Sequence, residues 1–278
     1  MLSILFKQKT GFVILTICLS FLLPLTAQIT VDRYMGINTL REDPVEKMKA
    51  VGFIREYHSW YLNEGNPSRS QKDYSPSYPN AVYRWNTVYQ DLTYTRFDEF
   101  YEEIRHQQDI EIAPSFLGNI FQIVDPTRYT NEGDNHMVQE QIPVRKGANK
   151  LNPASYKAHA AYLFQYAARY GHRVFPKNKF KQLIIPRTHP EEVPKTGMGM
   201  VEYMESWNEQ DKWWWQGTHP NTYFPPKVYM AMLSADYDGH GNTLGAGIGI
   251  KNADPNMKVV MGGLAQADLS YILSLIHI

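Results

Sequence analysis

Residues 201–215 read VEYMESWNEQDKWWW, and the interpretation of the whole chain depends on this stretch. It begins as a mostly apolar run typical of a β-strand, and we predict that the strand breaks off at Asn208 and Glu209. A loop with three consecutive tryptophans, Trp213 to Trp215, follows. A carboxylic acid and an amide therefore stand together at a predicted strand end, beside a group of indole rings.

The rest of the chain alternates between predicted strands and predicted helices. The strands are expected at residues 33–38, 53–60, 110–116, 201–207 and 257–263. The helices are expected from Asp43 as N-cap to Gly52, from Thr95, from the cap Asn152 to Gly171, and from Pro225. A strand, a short helix and a strand in close succession form a βαβ unit, which requires a parallel sheet. The sequence therefore predicts an α/β fold.

The positions of the long loops favour one kind of α/β fold. Most of them follow predicted strands, and the connection at residues 172–199 is the exception. A (β/α)₈ TIM barrel has this asymmetry, because its site is built from the loops at the carboxyl ends of the strands. We therefore predict the N-terminal part of a (β/α)₈ barrel, about five of eight βα units, over residues 28–272. A doubly wound open sheet is the structural alternative.

Glu209 is the residue best placed for chemistry. Cleavage of a glycosidic bond uses two carboxyl groups, one of which protonates the leaving oxygen. A general acid needs a raised pKa, and apolar walls such as indole rings raise the pKa of a carboxyl group. Asn208 adds an amide that can hydrogen-bond a sugar hydroxyl. The structural alternative is that Asn208 and Glu209 only cap a following helix.

The run Glu205-Ser206-Trp207-Asn208-Glu209 resembles the fourth-strand signature of clan A glycoside hydrolases, and the general pattern is similar to family 39 and to related secreted bacterial hydrolases. The stretch at residues 53–58 is similar to the clan's second strand, and the resemblance covers residues 34–264. It implies a retaining enzyme on a TIM barrel, with Glu209 as general acid/base and Asn208 on the substrate's 2-hydroxyl. Gln210 stands where many members have proline. A non-catalytic carbohydrate-binding protein on a degenerate barrel is the alternative.

The second carboxylate has no candidate in this sequence. In the clan it is a glutamate at the end of the seventh strand, which no residue here matches, so we assign no nucleophile and expect the chain by itself to be inactive. Glu205 lies about 13 Å from Glu209 if the strand continues, whereas a retaining pair is about 5 Å apart. We expect Glu56 and Glu111 to form ion pairs inside the barrel.

Four tryptophans and one histidine complete the candidate substrate-binding residues. Trp60, Trp207, Trp213 and Trp214 are expected to bind the substrate. Trp60 and the run at residues 213–215 are the candidates for stacking on sugar rings. For at least one tryptophan of that run, the alternative is a hydrophobic cluster beneath the loop. On the second strand, His58 and Glu56 face one way and Arg55 and Tyr57 the other. Either pair could line the site. We prefer His58 because it lies nearer the strand end, with a buried structural histidine as the alternative.

Composition and the N-terminus limit the possible partners. The 28 basic and 28 acidic side chains balance, which gives no electrostatic reason to expect nucleic acid. Residues 1–27 read as a signal peptide of a secreted or periplasmic bacterial protein, with an uncleaved membrane anchor as the alternative. Cys18, the only cysteine, lies inside this segment. We predict no membrane association after cleavage, no cofactor and no metal. We interpret residues 273–278 as a non-native tail, with a genuine apolar tail as the alternative.

Overall fold

The computed structural model describes residues 31–40, 43–60, 97–118, 142–145, 147–175, 195–213, 222–266 and 268–276. The strands are β1 Gly36–Thr39, β2 Phe53–Ser59, β3 Glu111–Leu117, β4 Tyr203–Ser206 and β5 Lys258–Met261. The α-helices are α1 Val31–Tyr34, α2 Val45–Met48, α3 Phe97–Glu102, α4 Lys157–Tyr170, α5 Pro226–Asp238, α6 Ile250–Ala253 and α7 Leu269–Ile276. A π-helical segment, Glu103–Gln107, continues α3, and a 3₁₀ turn, Pro153–Tyr156, precedes α4.

The five strands form one parallel sheet in the order β1-β2-β3-β4-β5. Each strand pairs with the next along the chain, and the register matches Asn38 with Arg55, and Ser115 with both Tyr57 and Glu205. The prediction of an α/β fold with a parallel sheet is confirmed. Among these five strands the order never reverses, so the described sheet has no switch point of the kind that a doubly wound fold places at its binding crevice.

Two helix boundaries follow the capping chemistry of the sequence. The Asn152 side chain accepts a hydrogen bond from the Ala154 N–H at 3.0 Å, which confirms Asn152 as the cap of the 3₁₀ turn that leads into α4. Helix α5 ends at Gly239, whose φ of 70° is left-handed. Glycine adopts this conformation without strain from a Cβ atom, which explains the stop.

The first elements differ from the prediction. Residues 31–34 are helical and β1 begins only at Gly36, so the expected strand at residues 33–38 is placed too early. Asp43 is not the cap of α2, because its carboxylate accepts from the Leu40 N–H at 2.7 Å and from the Thr39 hydroxyl at 3.0 Å. It closes the turn after β1 instead, and Pro44 precedes the helix.

The two faces of the sheet have opposite character. Alternate residues such as Ile54 and Phe116 face the helices and are buried in the main core. The Phe116 ring packs edge-on against Tyr162 and Tyr166 of α4, at 5.7 and 4.6 Å between centroids. Arg55 and its register neighbours lie on the other face. Because the strands are short and parallel, that face brings polar side chains of several strands together.

Glu56 lies on the helix-facing side, so its expected place inside a barrel is wrong. It is fully buried, and its carboxylate accepts from the Tyr101 hydroxyl at 2.6 Å and pairs with His58 Nδ1 at 2.9 Å. Glu111 does form an ion pair, with Arg105 at 3.1 Å. The buried Glu56 carboxylate therefore has hydrogen-bonding partners, as burial of a polar group requires.

Candidate active site

Arg55 is the centre of a polar cluster on the face of the sheet opposite the helices. Its guanidinium forms a two-pronged ion pair with Glu205, through Nε and, at 2.7 Å, through Nη2. Nη2 also donates to the Ser115 hydroxyl at 3.0 Å, and Nη1 donates to Asn38 Oδ1 at 3.2 Å. One side chain thereby joins strands β1 to β4, using the fixed fork of donors that arginine provides.

The same guanidinium fixes the amide of Asn208. Arg55 Nη2 donates to Asn208 Oδ1 at 2.8 Å. Because arginine has no acceptor, this contact identifies the amide oxygen and leaves the Asn208 NH₂ group as a donor toward other partners. Burial alone would lower the pKa of Arg55, but the hydrogen bond and charge of Glu205 raise it above its ordinary value. The guanidinium therefore stays charged, and the orientation of Asn208 is maintained.

The backbone leaves the sheet through two left-handed residues. β4 ends at Ser206, and Trp207 and Glu209 have φ values of 78° and 50°. Non-glycine residues seldom adopt positive φ, and for a bulky side chain it costs free energy. A conformation of this kind persists only when the surrounding contacts impose it, and such residues concentrate at functional sites.

Contacts with the turn after β5 impose this conformation. The Glu209 N–H donates to the Gly263 carbonyl at 2.7 Å, and the Gln210 amide donates to the Gly262 carbonyl at 3.0 Å. The Asp211 carboxylate accepts from the N–H groups of Ala265 and Gln266, at 2.8 and 2.9 Å. Hydrogen bonds therefore hold the turn at residues 207–211 against residues 262–266, next to the carboxyl ends of β4 and β5.

Glu209 lies at this edge with its side chain half-buried. Among the residues that the structure describes, its carboxylate has no hydrogen-bond or ion-pair partner. Glu205 differs, because Arg55 and the Gly263 N–H, at 2.8 Å, occupy its carboxylate. The strand ends before Trp207, so the expected 13 Å separation of the two glutamates, about four strand residues, rests on a continuous strand that the structure does not have.

Two of the predicted substrate-binding tryptophans are buried. Trp60 is 0% exposed and stacks on Tyr162 at 5.4 Å between ring centroids. Trp207 is 2% exposed and packs against Phe224 at 4.8 Å between ring centroids. Protein covers both rings, which leaves neither with an open face for a sugar, so the expected substrate contacts of Trp60 and Trp207 are not supported.

Trp213 is the predicted stacking residue that is accessible. Its side chain is 52% exposed, and its ring lies nearly parallel to Tyr223, with 4.9 Å between centroids. One face of the indole is thus supported by Tyr223, which Tyr271 of α7 contacts edge-on at 6.3 Å. Trp214 lies outside the described residues.

Alternation along β2 allowed either His58 and Glu56 or Arg55 and Tyr57 to line the site, and the structure distinguishes the two pairs. His58 is fully buried, with its ring 4.5 Å from Phe97 and 4.9 Å from Tyr166 between centroids. It therefore occupies the position of a structural histidine. Arg55 contacts Asn208, and the Tyr57 ring lies beneath the guanidinium at 4.8 Å. The preference for His58 over Arg55 is not supported. No local signal in the sequence identifies Arg55, because alternation along β2 does not say which set of side chains faces the helices.

No protein-family model matches the chain, and no curated protein matches it. Across the described residues, His, Cys, Asp and Glu side chains form no group of three or more that could hold a metal ion. No helix in that part of the chain combines the length and the apolar character needed to cross a membrane.

Replacing Gly262 with alanine is expected to displace the turn that carries Asn208 and Glu209. A Cβ atom at position 262 would lie 2.8 Å from the Trp207 carbonyl oxygen and 2.9 Å from that of Ser206. Backbone carbonyls cannot move aside as side chains do, so we expect a loss of about 1–3 kcal/mol in the free energy of unfolding. Urea denaturation of the wild-type and variant proteins measures it.

Gly263 provides the matched control. A Cβ atom there would meet Glu205 Oε1 at 3.7 Å and Arg55 Nη2 at 3.9 Å, which are ordinary contacts. We therefore expect Gly263→Ala to have the stability of the wild type or slightly more, because alanine reduces the freedom of the unfolded chain. Equal destabilisation by both substitutions would contradict the close approach described for Gly262.

Proposed function

We propose that this chain is the N-terminal part of a secreted retaining glycoside hydrolase on a (β/α)₈ barrel. In this proposal Glu209 is the general acid/base, and Asn208 donates a hydrogen bond to a hydroxyl of the substrate. The observation that carries it is the strained turn at residues 207–211 beside an amide that Arg55 orients. This turn presents the Glu209 carboxylate, which has no partner among the residues that the structure describes. We give no identity to the nucleophile, and we propose no cofactor.

The topology of the sheet supports the barrel. Five parallel strands pair in chain order, and the helices α3, α4 and α5 contact one face. A barrel has this arrangement, with helices outside and the carboxyl ends of the strands carrying the site. Asn208 and Glu209 lie two and three residues after the end of β4, at the edge where catalytic residues of such barrels lie.

The chemistry of the edge supports a carbohydrate substrate. A carboxyl group with no internal partner can exchange a proton with a leaving oxygen, and an amide donor can bind a neighbouring hydroxyl. Trp213 adds an exposed aromatic face supported by Tyr223. Carbohydrate rings present C–H groups that pack on such a face, so Trp213 is the substrate-stacking residue of the proposal.

A non-catalytic carbohydrate-binding protein is the second candidate. The exposed Trp213 favours it, since a stacking platform needs no nucleophile. In addition, Glu205, four residues before Glu209, is engaged by Arg55 and by the Gly263 N–H. Binding of oligosaccharide without turnover by the full-length protein would support this second candidate.

Covalent trapping tests the leading proposal. A 2,4-dinitrophenyl 2-deoxy-2-fluoroglycoside releases dinitrophenolate when an enzyme carboxylate attacks C1, and the fluorine slows hydrolysis of the resulting ester. We expect the full-length protein to gain the mass of one fluoroglycosyl group with at least one member of a panel of glucosides, xylosides, galactosides and mannosides. Peptide mapping of the labelled protein would then identify the nucleophile.

The outcome separates the two candidates. A label on a carboxylate, together with turnover of the parent aryl glycosides, supports the retaining hydrolase. Neither a label nor turnover across the panel, combined with oligosaccharide binding in calorimetry, contradicts it and supports the binding protein.

A further inference from the structure

Helix α5 sends two side chains to the end of β4. Tyr229 and Asp236 are separated by about two helical turns, so they lie on the same face of the helix. The Tyr229 hydroxyl donates to the Ser206 carbonyl at 2.8 Å, and the Ser206 hydroxyl donates to Asp236 Oδ2 at 2.8 Å. The carbonyl and the hydroxyl of Ser206 are therefore both hydrogen-bonded to side chains of α5. Ser206 is the residue immediately before the left-handed Trp207.

The Tyr229 hydroxyl makes a second bond, to the neighbouring strand. It accepts from the Gly262 N–H at 2.9 Å. Burial raises the pKa of Tyr229, so its hydroxyl stays protonated and can donate to Ser206 while it accepts from Gly262. A single buried hydroxyl thus ties the last residue of β4 to the first residue after β5.

Asp236 is held in turn by helix α4. Its Oδ1 pairs with His159 Nδ1 at 2.9 Å, and both side chains are fully buried. The His159 ring contacts Trp207 edge-on, with 6.2 Å between ring centroids. Side chains of α4 and α5 therefore converge beneath Ser206 and Trp207, where the turn begins. None of the bonds described for Tyr229, Asp236 and His159 is made to Asn208 or Glu209.

We propose that Tyr229 and Asp236 are positioning residues for the proposed acid/base, acting through Ser206 and Gly262. A small rotation at Ser206 moves everything that follows it in the turn, and the left-handed conformation at Trp207 persists only under constraint. The two α5 side chains supply that constraint from beneath the sheet, so that the Glu209 carboxyl group meets the leaving oxygen at the correct place. The inference rests on the proposed function.

Tyr229→Phe in the full-length protein tests it, because the ring stays in the core and only the hydroxyl is lost. The probes are the phenyl and 2,4-dinitrophenyl forms of the aryl glycoside that the wild type hydrolyses. Phenolate is a poor leaving group that needs a proton, whereas dinitrophenolate leaves without one. We expect kcat/KM to fall about 10- to 100-fold for the phenyl glycoside and less than about threefold for the dinitrophenyl glycoside.

Tyr170→Phe is the matched control. Tyr170 is another fully buried tyrosine, and its hydroxyl donates to Asp98 Oδ1 at 2.9 Å. It lies in the main core, whereas Trp207 and Tyr229 lie in a second hydrophobic cluster. We expect it to lower the thermal midpoint while the ratio of the two kcat/KM values stays that of the wild type. Loss of folded enzyme lowers the measured kcat/KM for both substrates by the same factor. A change in the ratio therefore reports an effect on the position of the acid/base and not on stability.

Ser206→Ala provides a second variant that keeps Tyr229 and removes the bond to Asp236. We expect kcat/KM again to fall more for the phenyl glycoside than for the dinitrophenyl glycoside, but by a smaller factor than in Tyr229→Phe. If Tyr229→Phe and Ser206→Ala leave the ratio unchanged, the positioning role is overturned. Glu209→Ala, measured in parallel, distinguishes this from failure of the proposed function: an unchanged ratio in that variant would overturn the acid/base role itself.

Discussion

Glu209→Ala in the full-length protein is expected to lower kcat/KM for a phenyl glycoside by about 10²–10⁴-fold. The reason is that the phenolate oxygen would leave without a proton. For the 2,4-dinitrophenyl glycoside the same variant should keep most of its kcat/KM, since that leaving group needs no acid. Initial rates with the two substrates measure the difference.

The second half of a retaining reaction gives an independent check. Without Glu209 no base activates the attacking water, so the covalent intermediate should accumulate. Azide needs no base, and we expect it to raise kcat of Glu209→Ala on the dinitrophenyl glycoside and to yield the glycosyl azide. Glu46→Ala, at an exposed glutamate of α2, is the control and should behave like the wild type. Wild-type turnover by Glu209→Ala would exclude Glu209 as the acid/base.

Arg55→Met is expected to cost both stability and activity. Arg55 and Glu205 have side chains that are 19% and 7% exposed, so removal of the guanidinium leaves a largely buried carboxylate without its charge partner. We expect a loss of about 2–4 kcal/mol in the free energy of unfolding, somewhat below the range for fully buried pairs because Arg55 retains some solvent contact. Activity should fall as well, because Asn208 loses the donor that orients its amide.

A control and a double variant separate these two effects. Arg105 is 18% exposed and pairs with Glu111 and with Asp109, each at 3.1 Å, so Arg105→Met removes arginine ion pairs away from the turn. It should destabilise the protein without changing kcat/KM of the folded enzyme. Arg55→Met combined with Glu205→Gln should recover much of the stability, because the unpaired charge is gone, but not the activity. Recovery of both would show that Arg55 serves stability alone.

The fold class was predictable because its signals are local. The spacing of β1, α2 and β2 requires parallel pairing, and the cap Asn152 and the left-handed Gly239 mark helix ends through interactions within a few residues. β1 was placed too early because residues 31–34 favour a helical turn that the apolar pattern does not reveal. Boundaries of this kind depend on hydrogen bonds such as those of Asp43, which compete with simpler capping patterns.

The side chains of the site were only partly predictable. Alternation along β2 separates His58 from Arg55, but it does not say which set faces the helices. That choice is made by Phe97, Phe116 and Tyr166, which surround His58 and come from distant parts of the chain.

For the same reason, no local pattern distinguishes the buried Trp207 from the exposed Trp213. The left-handed backbone at Glu209 depends on the turn after β5, more than fifty residues later in the sequence, and no pattern near Glu209 indicates it.

The order in which the strands pair has a consequence for how the protein is made. During synthesis each strand can add to an edge that already exists, because β1 to β5 leave the ribosome in the order in which they lie in the sheet. The bonds from residues 209–211 to residues 262–266 form only after β5 has been added. The proposed catalytic turn is therefore among the last parts of the described chain to acquire its final shape, and a nascent chain stopped before β5 holds Glu209 without that shape.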